Sequence, residues 1–430
     1  MASLEPERNG FKTQDEPHPS EIAPSGAVNG QVGINEIRKA IPAYCFQPSL
    51  FWSFYYLFRD LIYSTILIRA FFSIYKYTQD GPYQYLHYPL LILQSFSQGI
   101  VWTGLWILAH ECGHSAFSTN NILNDSVGFV LHSWLLAPYF SWKSTHRRHH
   151  IHANNLDKDL HYVPSTRDAY ASGIGIDADG LEDLGEDAPI VLFYRIILQQ
   201  AIGWNWYILS NITAPTGSLL KQGKSVWRHS HFDPWGSIFR DSEVTSVILS
   251  DIGCGLTLTF LWLLRSYLGS FEKLFWFYIV PWCWVNNWIV MITYLHHTHP
   301  TLPKYSAEQW TFIHGATATI DRNFGIIGTH FFHNISSDHV AHHLFSKIPH
   351  YYGREVTNII KPLLGNQYHG DGGFSWSELK LAFTRCQYVE EDAEKDRDYF
   401  QSSVGKDIEG PHALWYRGGR SPKPEYRMRS

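Results

Sequence analysis

The sequence predicts an all-α integral membrane protein: four transmembrane helices in two hairpins, interfacial or re-entrant helices, and a cytosolic helical cap that holds a histidine-rich metal site. Three observations predict it. Apolar runs long enough to span a bilayer recur along the 430 residues. Aromatic residues make up 16% of the chain, with 17 Trp, and charged residues only 17%, so few groups remain to cover a water-facing surface. Three histidine clusters repeat one helical spacing. The mean hydropathy of −0.19 averages the apolar segments with polar tails and loops.

The first cluster lies in Ala109–Ser118, A-H-E-C-G-H-S-A-F-S, with His110 and His114 four residues apart. The second is His146-Arg147-Arg148-His149-His150, and the third is His339-Val340-Ala341-His342-His343. Positions i, i+3 and i+4 share one helix face, so each cluster aims its imidazoles at one place. Neutral imidazole ligates iron, zinc, copper and nickel. A lone histidine is more often a surface or satisfied core residue; eight at this spacing are not. Eight also exceed what one tetrahedral zinc can use, so two metal ions are the economical reading.

Three regions are expected: a disordered cytosolic tail over residues 1–40, a membrane domain over 41–385, and a cytosolic tail over 386–430. Met1 to about Asn35 is rich in Glu, Pro, Ser, Gly and Asn and lacks the basic start and apolar core of a secretory signal. Net charge is −5 with no basic block, which argues against nucleic acid as a partner. Five scattered cysteines imply no disulfide framework.

Leu50–Ile74 and Pro89–Ala109 read as the first hairpin of spans, joined by the loop Tyr77–Tyr88. Arg59 and Asp60 are costly in lipid and should face other helices, whereas Arg69 can snorkel to one end. Ile122–Phe140 is apolar too, but a crossing there would put the first and second clusters on opposite faces. It is expected to be re-entrant or interfacial, interrupted at Asn124-Asp125 and at Pro138. Pro189–Ile212 carries Arg195, Gln199, Gln200, Asn205 and Asn211 and is assigned to the interface. Val244–Leu268 and Phe271–Leu295 form the second hairpin around Gly269-Ser270. All clusters then share one side, and the Lys and Arg outside the spans make that side the cytosol. The sequons at Asn124, Asn211 and Asn334 are not expected to be glycosylated.

Beyond the clusters the chain carries W-K before H-R-R-H-H, Y-V-P at Tyr162–Pro164, H-F-D-P at His231–Pro234 and L-S-D at Leu249–Asp251. Y-L-H-H-T-H-P follows at Tyr294–Pro300, then F-H-N-I, H-V-A-H-H-L-F-S and P-H-Y at Pro349–Tyr351. With A-H-E-C-G-H these motifs resemble the membrane fatty-acyl desaturases, within them the plant and fungal Δ12 (omega-6) oleate branch, from about residue 45 to about 420. The resemblance implies two non-heme iron ions, O2 as co-substrate and a cis double bond introduced into an acyl chain, oleate to linoleate. Electrons would come from a separate cytochrome b5 and its NADH-dependent reductase; the His-Pro-Gly-Gly heme motif of a fused cytochrome is not seen. The implied setting is the endoplasmic reticulum membrane, multi-pass, with termini and clusters cytosolic. Partners would be a phospholipid-bound or CoA-linked acyl chain and the bilayer, and a homodimer is compatible with the family. Carried over residue by residue, the ligands are His110, His114, His146, His149, His150, His339, His342 and His343. The ninth is His297, with His333 as the alternative.

An unactivated C–H bond gives an acid or base nothing to grip, so no separate acid or base is expected; the metal does that chemistry. Asp157, Asp159, Asp321 and Asp338 are candidates to orient ligand imidazoles, Asp338 first because it abuts the third cluster. Trp102, Trp106, Trp284 and Trp288 either line an acyl slot or pack as core. Ser115, His152, His161 and His296 depart from the family pattern and are read as surface or substrate-side variation. Omega-3 desaturases, acetylenases, conjugases and hydroxylases share the scaffold; Ala109 before the first cluster favours plain desaturation. His110-Glu111-Cys112-Gly113-His114 also fits the H-E-x-x-H helix of a membrane zinc metalloprotease, with Glu111 as base. That reading leaves the other clusters without a role, and a catalytically silent scaffold is disfavoured because every ligand position is filled.

Overall fold

A computed structural model describes residues 32–161, 163–183, 188–223, 225–370, 373–396, 399 and 413–417. Most of both expected tails, and Tyr162 of the Y-V-P motif, lie outside the described residues. Ile34–Ala40 (α1) is already helical, and its Ile37 is fully buried among Ile41, Val356 and Ile360.

Leu50–Thr78 (α2) and His87–Gly113 (α3) run antiparallel. Gln94 Nε2 donates to Leu67 O at 3.2 Å, while Gln98 Nε2 and Trp102 Nε1 both donate to Ser64 Oγ, at 2.9 and 3.0 Å. Among the described residues, three stretches are long and apolar enough to cross a membrane: Gln84–Gly113, Asp241–Leu268 and Phe271–His297. At 29 residues α2 is as long, but it carries Arg59, Asp60, Arg69 and Lys76. Two of these charges face protein. Arg59 Nε lies 2.8 Å from Asp60 Oδ1, its NH2 donates to His330 O at 2.7 Å, and Asp60 Oδ2 lies 2.8 Å from His333 Nε2.

Asn121–Trp134 (α4) and Tyr139–His152 (α5) follow. Asn120 caps α4 by accepting from the backbone N–H groups of Ile122 and Leu123. The expected interruption at Asn124-Asp125 does not occur, because both side chains find partners without breaking the helix. Asn124 Nδ2 donates to Ser118 O at 2.8 Å, and Asp125 Oδ1 takes Lys143 Nζ at 2.5 Å and Tyr139 OH at 3.0 Å. The break falls only at Leu135–Pro138. Asn124 and Asn211 are fully buried, which closes both to glycosylation.

Ser165–Thr166 (β1), Arg167–Gly173 (α6) and Pro189–Ser210 (α7) lead to Val244–Leu268 (α8), which Gly269 ends at φ 71°. Phe271–Leu274 (α9) continues through a π turn at Phe275–Ile279 into Val280–His297 (α10). Phe312–Thr317 (α11), a second π turn at Ile327–Phe331, His339–Leu344 (α12), His350–Leu364 (α13) and Trp376–Arg385 (α14) follow. Tyr388–Glu391 (β2) pairs parallel with β1 and antiparallel with Leu414–Tyr416 (β3). The main core lies where α3 packs on α2, α4 and α10; Leu108, Ala109 and Cys112 are fully buried there, beside the first cluster's His110 and His114.

Candidate metal centre

Four elements converge on one place. The last turn of α3 brings His110 and His114, α5 brings His146, His149 and His150, the end of α10 brings His297, and α12 brings His339, His342 and His343. All nine are buried. They fall into two groups of nitrogens, each group within 4.8 Å: His110, His114, His146, His150 and His342, and beside them His149, His297 and His343. His339 joins the second, with Nε2 3.1 Å from His297 Nε2. His110 and His114 meet at 3.2 Å between Nε2 atoms, and His146 and His150 at 3.1 Å. Two nitrogens bound at right angles to one ion at about 2.1 Å would lie about 3 Å apart, so the donor sets fit a metal ion in each group.

Five of these imidazoles are also in the ligating state. Burial holds His146, His150, His339, His342 and His343 well below the usual imidazole range, and neighbouring imidazoles add to it. They are neutral at pH 7, with lone pairs free.

Local structure explains the convergence. After α3, Ser115 turns at φ 58° and Ala116 N–H donates to Glu111 O, which ends the helix at His114. Glu111 Oε2 accepts the backbone N–H of His350 at 2.9 Å, tying α3 to the start of α13. Phe140 N–H donates to Ser250 Oγ at 2.9 Å, so the L-S-D motif of α8 docks the N-terminus of α5. Asp321 Oδ1 accepts Val340 N–H at 2.8 Å and its Oδ2 accepts Tyr368 OH at 2.8 Å, anchoring the first turn of α12.

Of the carboxylates singled out in the sequence, Asp159 is the one in contact with a clustered imidazole: its Oδ1 lies 2.7 Å from His149 Nδ1. Asp338 points away, to Arg354 Nε at 3.4 Å and against Gly353. A cavity of about 20 Å³ lies behind His342, between Glu111, His333, Asp338 and His350.

His297 is in the second group, whereas His333 is held on Asp60 at φ 51° outside both. Two histidines expected at the surface or on the substrate side are structural. His296 is fully buried, with Nδ1 and Nε2 2.5 and 2.8 Å from the carbonyls of Ile292 and Ser336. His161 stacks flat on His149 at 3.8 Å between centroids. The local reading missed this because Asp159 and His161 lie in an irregular turn, where no period reports which side chains point inward. Trp106 stacks on His110 and crosses Trp204 edge-on, bordering the site. Trp102 packs on Trp134 and Tyr278, and Trp288 on Phe96, as core, while Trp284 meets Phe96 half-buried.

A helical membrane protein with two adjoining all-histidine metal groups is the class that this fold and site define. The sequence pattern of the family described as fatty acid desaturase matches residues 84–373, about two thirds of the chain. An oleate hydroxylase of Claviceps purpurea is 38% identical over 376 residues, 84% of this chain and 78% of the relative. A Δ12 fatty acid desaturase of Calendula officinalis is 37% identical over 408 residues, 92% of this chain and 97% of the relative. The Δ12 fatty-acid desaturase of Arabidopsis thaliana is 37% identical over 367 residues, covering 85% and 89%. The chain belongs to the fatty acid desaturase family and is an oxidoreductase.

Proposed function

We propose that this chain is a Δ12 acyl-lipid desaturase that converts an oleoyl to a linoleoyl chain at a two-iron centre in the endoplasmic reticulum membrane. The observation that carries it is the meeting of nine buried imidazoles in two adjoining groups, in a chain whose relatives are named Δ12 desaturases. His110, His114, His146, His150 and His342 would hold one iron, and His149, His297, His339 and His343 the other. The irons, when bound, supply oxygen activation with electrons from an external cytochrome b5 and its reductase.

The protein's own residues direct and shield. Asp159 fixes which nitrogen of His149 faces inward. Trp106 packs edge-on against Trp142 and Trp204 and stacks on His110, so these buried rings shield the first metal group with apolar surface. We read α2 as a fourth span, since it runs the length of α3 and its Arg59–Asp60 pair is satisfied by the protein. α7 we read as lying in the interface, where its apolar Phe193, Ile197 and Leu198 are exposed.

One relative gives a second reading: the Claviceps enzyme is an oleate hydroxylase at comparable identity, so the same site fits insertion of a hydroxyl. The zinc protease reading loses support. Its base must hold a water at the metal, yet Glu111 Oε2 is engaged by His350 N–H, and three further imidazoles crowd His110 and His114.

The test is the fatty-acid profile of a yeast that makes no polyunsaturates, expressing this chain or its His342→Ala variant. Linoleate that disappears with the variant is the expected result. A hydroxylated product dependent on His342 would transfer the assignment to the hydroxylase, and no new product would defeat both.

A further inference from the structure

His161 is used by neither metal group, yet it is built into the site. Its ring lies on that of His149 with centroids 3.8 Å apart and planes 9° from parallel. It also lies 5.3 Å from the His146 ring, and Tyr207 meets it edge-on at 5.3 Å. Its Nε2 is buried and has no hydrogen-bond partner among the described residues. Asp159 joins the two rings: Oδ1 lies 2.7 Å from His149 Nδ1 and accepts the backbone N–H of His161 at 3.0 Å, while Oδ2 accepts Asn154 N–H at 2.9 Å. One short turn therefore holds His149 by its edge and by its face.

The geometry decides between two roles. A ligating imidazole aims its lone pair within its own ring plane. A ring lying parallel on His149 cannot aim at the ion that His149 faces, so His161 is not a tenth ligand. We propose that His161 is a positioning residue, which fixes the plane of His149 and thereby secures the metal ion of the smaller group. This rests on the two-iron reading above. His149 is the sole ligand that α5 gives to that group, since His146 and His150 belong to the other. A loss of its orientation should loosen one ion and spare its neighbour. The contact is closer than the usual 4.5–7 Å between aromatic centroids, and an aliphatic side chain at 161 has no flat face to replace it.

The test is the iron retained per chain by the purified full-length protein in detergent micelles, titrated with a chelator after loading with ferrous iron. His161→Val and His161→Gln remove the ring; His161→Phe keeps a flat face without nitrogens. Wild type is expected to hold two irons. In the Val and Gln variants one iron should leave at about ten- to hundredfold lower chelator concentration, the other at the wild-type concentration. The Phe variant should restore most of the difference. Two non-aromatic variants guard against one that does not fold. Release of both irons as in wild type, or equal weakening of both, overturns the proposal, as does a Phe variant as weak as Val. A wild type holding a single zinc is a separate outcome: it overturns the two-iron reading, and this inference with it.

Discussion

On the proposed two-iron reading, Asp159 turns an imidazole into a directed ligand: its contact with His149 Nδ1 leaves Nε2 as the nitrogen free to face a metal. Asp159→Asn is expected to cut desaturation about tenfold or more and to lower iron retention. Asp338→Asn, whose carboxylate faces Arg354, should leave iron retention within about twofold of wild type. Equal losses in the two variants would remove Asp159 from this role. The depressed imidazoles also make a prediction about acid. His146, His150, His161 and His342 stay neutral in the folded protein well below their ordinary value of 6.5, whereas the unfolded chain takes up the protons near that value. Their contribution to stability is therefore fully present above about pH 6.5 and lost as pH falls below it. The melting temperature of the iron-free protein should drop between pH 7 and pH 5; a flat profile would contradict this. Which histidines meet was legible in the sequence because helical spacing is a local code. Which carboxylate supports them was not: Asp338 adjoins the third cluster in sequence, but its side chain turns to Arg354.

Helices reach the site only where small residues let them approach. Gly104 of α3 lies under the loop before the third cluster, and a Cβ there would come within 2.5 Å of Phe331 O and 3.0 Å of Asp60 Oδ2. Gly104→Ala must push backbone apart and should cost about 1–3 kcal/mol of stability, read as a lower melting temperature with reduced iron content. A variant as stable as wild type would mean that the contact is looser than described. Long apolar periods made α3, α8 and α10 legible, as did the hairpin at Gly269. The two π turns were not, because one residue added to a helical turn leaves no mark in the apolar pattern. The break within Ile122–Phe140 was found at Pro138 but wrongly added at Asn124-Asp125, since polar residues read as turn formers are here satisfied by Ser118, Tyr139 and Lys143.

Across the whole molecule, the site is closed by parts distant in sequence. Lys304 is buried; its Nζ donates to His297 O at 2.8 Å and contacts Asn154 Oδ1, and its ammonium lies 5.7 Å from the Tyr416 ring. Its backbone pairs with Leu414, so β3 straps the end of α10 that carries His297. The residues from 386 onward were expected to be a tail, yet Val389, Trp415 and Tyr416 are almost completely buried. Three alternating residues are too short a pattern to announce a strand, and their partners lie more than 20 residues away in sequence. Trp415→Ala should destabilise the cap by about 3–5 kcal/mol, seen as earlier thermal loss of iron. No change in that loss would make the strap incidental.

If nine imidazoles hold two metal ions of one kind, metal analysis of the purified wild-type protein should find about two irons per chain, falling together with desaturation in His342→Ala. One zinc per chain, retained in that variant, would contradict it.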